Sequence, residues 1–168
     1  MIYHYTTLEY AVKIFETGYL KVSPWEKRNK IKPAALWLSK NPEWEYTASK
    51  AVRDHSTGES FTLTFQQQHD LIGCARFVVP FIKTELCSWP KYWHASNTPA
   101  QIYQNMEMRG IELGSKPSDW YASFRDISLD KLIAFEIWDG AQWVDHSDDF
   151  KEAIDFHLRR LNGENHEN

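Results

Sequence analysis

In the stretch IYHYTT near the start of the chain, His4 lies between Tyr3 and Tyr5. Successive side chains of a strand alternate in direction, so the two tyrosines take one face and the imidazole the other. A ring so placed either bonds a backbone carbonyl inside the core or stands at a cleft. At a cleft it can donate to a ribose hydroxyl or a phosphate. The second chemical stretch is LWLSKNPEWEYTA, in which an apolar strand closes on Ser39 and Asn41-Pro42-Glu43 follows at once. Asn as cap, Pro at the first helical position and an acid in the first turn predict a helix over about residues 41–53. The free amides of such a start favour a phosphate or a carboxylate. Trp37 shares a face with Ser39, which sets an aromatic plane beside a hydroxyl; core packing also accounts for Trp37. Glu45 falls one turn after the cap, where a Lys or Arg partner would equally explain it.

Other constellations are missing. There is no phosphate loop, no GxGxxG, no HExxH and no GxSxG. His55, His69 and His94 lie far apart, and no His or Cys pair has metal-ligand spacing, so no metal site is expected. Cys74 and Cys87 form no CxxC pair and fit buried thiols in a reducing compartment. A net charge of -4 argues against a general nucleic-acid coat, which needs a basic face. Lys27, Arg28, Lys30 and Lys32 form a local basic run, read either as a solvated loop or as one facing phosphate. No apolar run approaches the roughly 20 residues that span a bilayer, and the start lacks a secretory leader. A soluble cytoplasmic protein is the expectation.

The elements that must position these groups follow from pattern. Residues 2–5 are rich in strand formers. Thr6-Thr7-Leu8-Glu9 reads as a capping box, with Leu8, Ala11, Val12 and Phe15 on one helical face and Gly18 as the left-handed stop. Residues 19–22 are briefly extended, and 34–39 form a strand. Alternation predicts a strand over 59–65, and a further strand follows over 74–81. Residues 84–97 have no period and read as a long structured loop of the kind that carries function. Thr98-Pro99 starts a helix that Gly110 closes, and 131–138 is a strand that turns at Asp139-Gly140 into AQWV. Asp148 caps a last amphipathic helix, and the NGENHEN tail is polar and frayed. The expectation is a single α+β domain over 1–162, with a split or twisted mixed sheet flanked by helices, and a disordered tail over 163–168. An aromatic share of 15%, with eight Trp, suits both a core and stacking pockets.

A first strand ending H-Y-T, a helix, a basic loop and a strand ending in an aromatic and Ser together resemble the ADP-ribosyltransferase-like fold. The nearest flavour is the set that includes the DNA-modifying DarT toxins and the RNA 2′-phosphotransferases. The resemblance covers the first third of the chain. It implies that His4 touches NAD or a phosphate-ribose ligand, with Tyr5 and Thr6 beside it. Trp37 and Ser39 would frame the nicotinamide pocket, and Trp37 or Tyr5 would stack on its ring. It further implies an acid that orients the ribose and supports the sugar cation as nicotinamide leaves. Glu136 in LIAFEIW is placed in that role, with Glu112, Asp119 and Glu45 as the other candidates. On this resemblance the chain is an NAD-dependent ADP-ribosyltransferase-like protein of the phage or bacterial toxin and defence type, modifying a nucleic acid or a protein. The alternative is a catalytically inactive module on the same fold, binding a nucleotide or a protein in the manner of an inhibitor.

Overall fold

Tyr3 and Tyr5 alternate with Ile2, His4 and Thr6 along the central strand β1 (Ile2–Thr6). The computed structural model describes residues 1–23, 33–54, 56–96 and 98–163. The basic run Lys27, Arg28, Lys30 and Lys32, together with His55 and the tail beyond Gly163, lies outside the described residues.

Because β1 runs through Thr6, the cap of the next helix moves one residue along. Thr7 caps α1 (Leu8–Thr17), its hydroxyl accepting from the Tyr10 amide at 3.3 Å. Glu9 does not reach back to the cap but pairs with Lys13 one turn on. Gly18 ends the helix at φ 73°, a conformation that its missing Cβ allows. After β2 (Tyr19–Leu20) and β3 (Leu36–Ser39) the expected 41–53 helix does not form. Asn41 instead folds a turn with its own side chain, accepting from the Glu43 amide at 3.0 Å and donating to the Trp44 carbonyl at 2.6 Å. A single 3₁₀ turn (Tyr46–Ala48) follows, and then strand β4 (Ala51–Arg53).

The next expected strand shortens to β5 (Ser60–Thr62), because Thr64 and Gln67 make a reciprocal capping box that starts α2 (Phe65–Ile72). Strand β6 (Ala75–Val79) lies where it was expected. The supposed loop over 84–97 contains β7 (Cys87–Ser88) and α3 (Trp89–Ala95), whose Pro90 sits at the helix start. Helix α4 (Ala100–Glu112) runs past Gly110. Strand β8 (Trp120–Ser123), which the sequence pattern did not show, is followed by β9 (Ile127–Ser128). Strand β10 (Ala134–Trp138) begins only after a 3₁₀ turn (Leu129–Lys131) and hairpins into β11 (Trp143–Asp145) as the Asp139-Gly140 pair implied. Asp149 rather than Asp148 occupies the cap position of α5 (Phe150–Leu161).

The order of the main sheet is β11-β10-β6-β1-β3-β8-β7, and every described pairing is antiparallel, where a mixed sheet was expected. Among the described residues the fold is therefore α+β, five α-helices on a large antiparallel sheet. One face buries Ile2, Leu38, Phe77, Phe135 and Ile137 together with Leu8 and Ala11 of α1 and Ala153 and Ile154 of α5. Burial of that apolar surface, at about 25 cal/mol per Å², is the main force on this side. The opposite face carries Tyr3, Tyr5 and Val78 against Trp44 and Phe65, with a second aromatic cluster of Trp89, Tyr103 and Trp120 beside Trp37. Strands β1 and β6 pair along five positions, whereas β1 and β3 meet at one, Tyr3 opposite Ser39. Among the described residues no helix is long and apolar enough to cross a membrane.

Candidate functional site

A cavity of about 290 Å³ lies against the seam between β1 and β3. Tyr3, His4 and Tyr5 wall it from one strand, and Trp37, Leu38 and Ser39 from the other. Glu45, Thr47 and Lys50 come from the 3₁₀ turn and its flanks, Trp89 and Met106 from helices α3 and α4, and Trp120 from β8. Its size is at the lower end of the roughly 300–1,000 Å³ of small-molecule pockets.

Beyond Tyr3 and Ser39 the β1–β3 ladder stops, and the His4 side chain reaches the Trp37 carbonyl, with Nδ1 at 3.0 Å from the oxygen. A carbonyl only accepts, so Nδ1 carries the hydrogen and Nε2 of the neutral ring is left as an acceptor. Burial holds the imidazole below its usual pKa; the Trp37 bond opposes this and the Lys50 charge adds to it. His4 is thus a neutral ring whose Nδ1 hydrogen is committed to the Trp37 carbonyl, which leaves Nε2 able to accept a hydrogen bond.

Ser39 is buried, and its hydroxyl donates to Glu45 Oε2 at 2.7 Å while accepting from the Asn41 amide at 3.1 Å. The other Glu45 oxygen accepts from the Thr47 amide at 3.2 Å, the Thr47 hydroxyl at 2.8 Å and the Ser115 hydroxyl. Glu45 is only 6% exposed, so this carboxylate is held in a low-dielectric wall by hydroxyls and an amide rather than by a cation. Ser115 is 70 positions away in the chain, and no local pattern points to it.

The remaining expected residues divide. Tyr5 walls the cavity, but its hydroxyl donates to the Asn41 carbonyl at 2.5 Å, and burial pushes the phenol well above its usual pKa. Thr6 is buried opposite Ala75 of β6 and does not wall the cavity. Nor does Glu136. It faces Arg76 across the β10–β6 pairing and forms an ion pair with it. The Arg76 guanidinium also lies 4.4 Å from the ring centres of both Tyr3 and Trp143. Glu112 is exposed on α4, 3.4 Å from Arg109, and Asp119 sits in a 3₁₀ turn (Pro117–Asp119). Of the four candidate acids, the structure brings only Glu45 to the cavity.

No protein-family model matches the chain, and no curated protein or solved structure matches it either. The chemistry must be read from the cavity itself.

The far wall is aromatic. Trp89 stacks on Tyr103 at 4.3 Å and stands edge-on to Trp120 at 5.0 Å, and Trp37 tilts against Trp89 at 5.8 Å. Such a wall offers ring faces and edges to a planar ligand. Gly110 of α4 makes this packing possible, since a Cβ there would overlap the benzo edge of Trp120. Sequence reading missed Lys50, Met106 and Trp120, whose positions follow from β8 and α4 rather than from any short motif. Trp89 lay in a stretch already marked as functional, although that stretch was taken for a loop.

Proposed function

We propose that the cavity is a nucleotide site and that the chain is an ADP-ribosyltransferase-like protein using NAD to modify a nucleic acid or a protein. One observation carries the reading. A neutral imidazole, a buried serine–carboxylate pair and an aromatic wall converge on one cavity at the β1–β3 seam. His4 Nε2 accepts from a ribose hydroxyl, the indoles of Trp37 and Trp89 flank the ring, and Glu45 supplies negative charge beside the sugar. In the transfer, the bond from ribose C1′ to nicotinamide nitrogen breaks and its electron pair leaves with nicotinamide. A nucleophile on the target bonds to C1′ and gives its proton to water. Glu45 replaces Glu136 as the acid that supports the intervening sugar cation.

A second reading is favoured by the four hydrogen bonds that already engage the Glu45 carboxylate. They suit a structural hub, and a protein that binds a nucleotide or a partner without turning NAD over. Calorimetry with NAD, joined to mass spectrometry of cell extract incubated with the protein and NAD, tests both. The transferase reading expects NAD binding that His4→Ala weakens, together with ADP-ribose adducts on nucleic acid or protein. Binding without adducts favours the second reading, and the absence of both removes the transferase.

A further inference from the structure

Among the described residues that wall the cavity, Lys50 is the one lysine or arginine, and no counter-ion meets it. Lys50 is half-buried on the wall, and no carboxylate among the described residues pairs with its ammonium group. The nearby acid, Glu45, is committed to Ser39, Thr47 and Ser115 and makes no ion pair with it. The Lys50 ammonium lies over the face of the Tyr10 ring, 5.6 Å from its centre. Burial lowers its pKa, and no neighbouring negative charge opposes that shift. An ammonium held partly out of water without an anion is costly to the fold unless something else meets it.

The backbone at this residue is fixed on both sides. The Lys50 amide donates to the fully buried side chain of Gln68 at 2.8 Å, and its carbonyl accepts from the Leu63 amide at 2.9 Å. The ammonium is therefore presented from a rigid base at the start of β4, as a binding group should be. The sequence suggested two other anchors for phosphate. The helix start at residue 41 does not form, and the basic run lies outside the described residues.

We infer that Lys50 is the anion-binding residue of the cavity and that it holds the phosphate of a nucleotide whose base lies against Trp37, Trp89 and Trp120. The ligand class is then a 5′-phosphorylated nucleoside, not a free base or an uncharged nucleoside. The inference rests on the nucleotide reading of the site, and it deepens that reading by assigning the two ends of the cavity. The cationic end is Lys50 and the stacking end is the indole wall. His4, kept neutral, stands between them as a hydroxyl acceptor for the sugar.

Two ligand pairs that differ by a single phosphate provide the test: nicotinamide mononucleotide against nicotinamide riboside, and AMP against adenosine. Calorimetry is run on the native chain, on Lys50→Gln and on Lys50→Arg. A charge-assisted contact predicts that the phosphorylated member binds about tenfold tighter to the native chain. Lys50→Gln is expected to remove that gap while leaving the unphosphorylated member unchanged, and Lys50→Arg to keep most of it. The unchanged affinity for the unphosphorylated member also shows that the variant folds. If the gap occurs in the nicotinamide pair, the anion site and the NAD reading both stand. If it occurs only in the adenine pair, the anion site stands and the nicotinamide assignment falls. No gap in either pair, or a gap that survives Lys50→Gln, overturns the inference.

Discussion

Ser39 and Glu45 hold each other at 2.7 Å, hydroxyl to carboxylate, and both are buried. The contact joins the end of β3 to the 3₁₀ turn and so fixes one side of the cavity. Glu45→Gln places an amide N–H₂ among groups that all donate. A stability loss of about 1–3 kcal/mol is expected in denaturant melts. If the carboxylate supports a sugar cation, NAD turnover falls by about 10²–10³, with NAD affinity in the same order of magnitude. Turnover equal to the native rate would reduce Glu45 to a structural hub.

Glu136→Gln separates the two acids. Arg76 is buried and depends on Glu136, on the Pro42 carbonyl and on two ring faces. Removing the charge leaves the guanidinium undercompensated, and a loss of about 1–3 kcal/mol is expected. NAD affinity and turnover should be unchanged per folded molecule. A selective loss of turnover in this variant would return Glu136 to the catalytic role and displace Glu45.

Gly110→Ala tests the aromatic wall from behind. Alanine is the better helix former by about 1 kcal/mol, yet its methyl overlaps Cη2 and Cζ2 of Trp120, with Thr47 Cγ2 a further 3.3 Å neighbour. Trp120 is 6% exposed and stands edge-on to Trp89, so it has little room to withdraw. Packing should prevail, with a net loss of about 1–2 kcal/mol in a thermal melt. A stabilised variant would show that the wall yields.

Acid should weaken the fold through His157 and His69. Both are buried, with their Nδ1 atoms unpartnered. Burial lowers His157 to about 4, and the charges of Arg160, His146 and His69 assist while Asp139 opposes. His69 is lowered as well, by burial and then by Arg160. An unfolded imidazole takes its proton near pH 6.5, well before the folded His157 does. Stability is therefore full above about pH 6.5 and falls as the pH drops toward 4, by on the order of 2 kcal/mol for His157 at about pH 5. Melts at about pH 7.5 and about pH 5 should show the loss, and His157→Phe should flatten it.

Local chemistry predicted some elements and misplaced others for identifiable reasons. Gly18 and the Asp139-Gly140 turn need only their own backbone freedom, and both lie where expected. Asn41-Pro42-Glu43 has the residue types of a helix cap, but the same asparagine closes a turn when Trp44 must be buried. That choice is made by the aromatic cluster around Tyr5 and Phe65, which no window of sequence contains. His4, Trp37 and Ser39 were legible because adjacent strands carry them. Ser115 and Trp120 were not, because only tertiary folding brings them to Glu45 and to Gly110.

The wall of Trp37, Trp89 and Trp120 has an optical consequence. A molecule that enters the cavity meets a lining to which all three indoles contribute. Their emission is the brightest a protein produces unaided, and its colour follows the polarity around each ring. Occupancy should therefore shift and dim the native fluorescence, so that the chain reports its own ligand without a label.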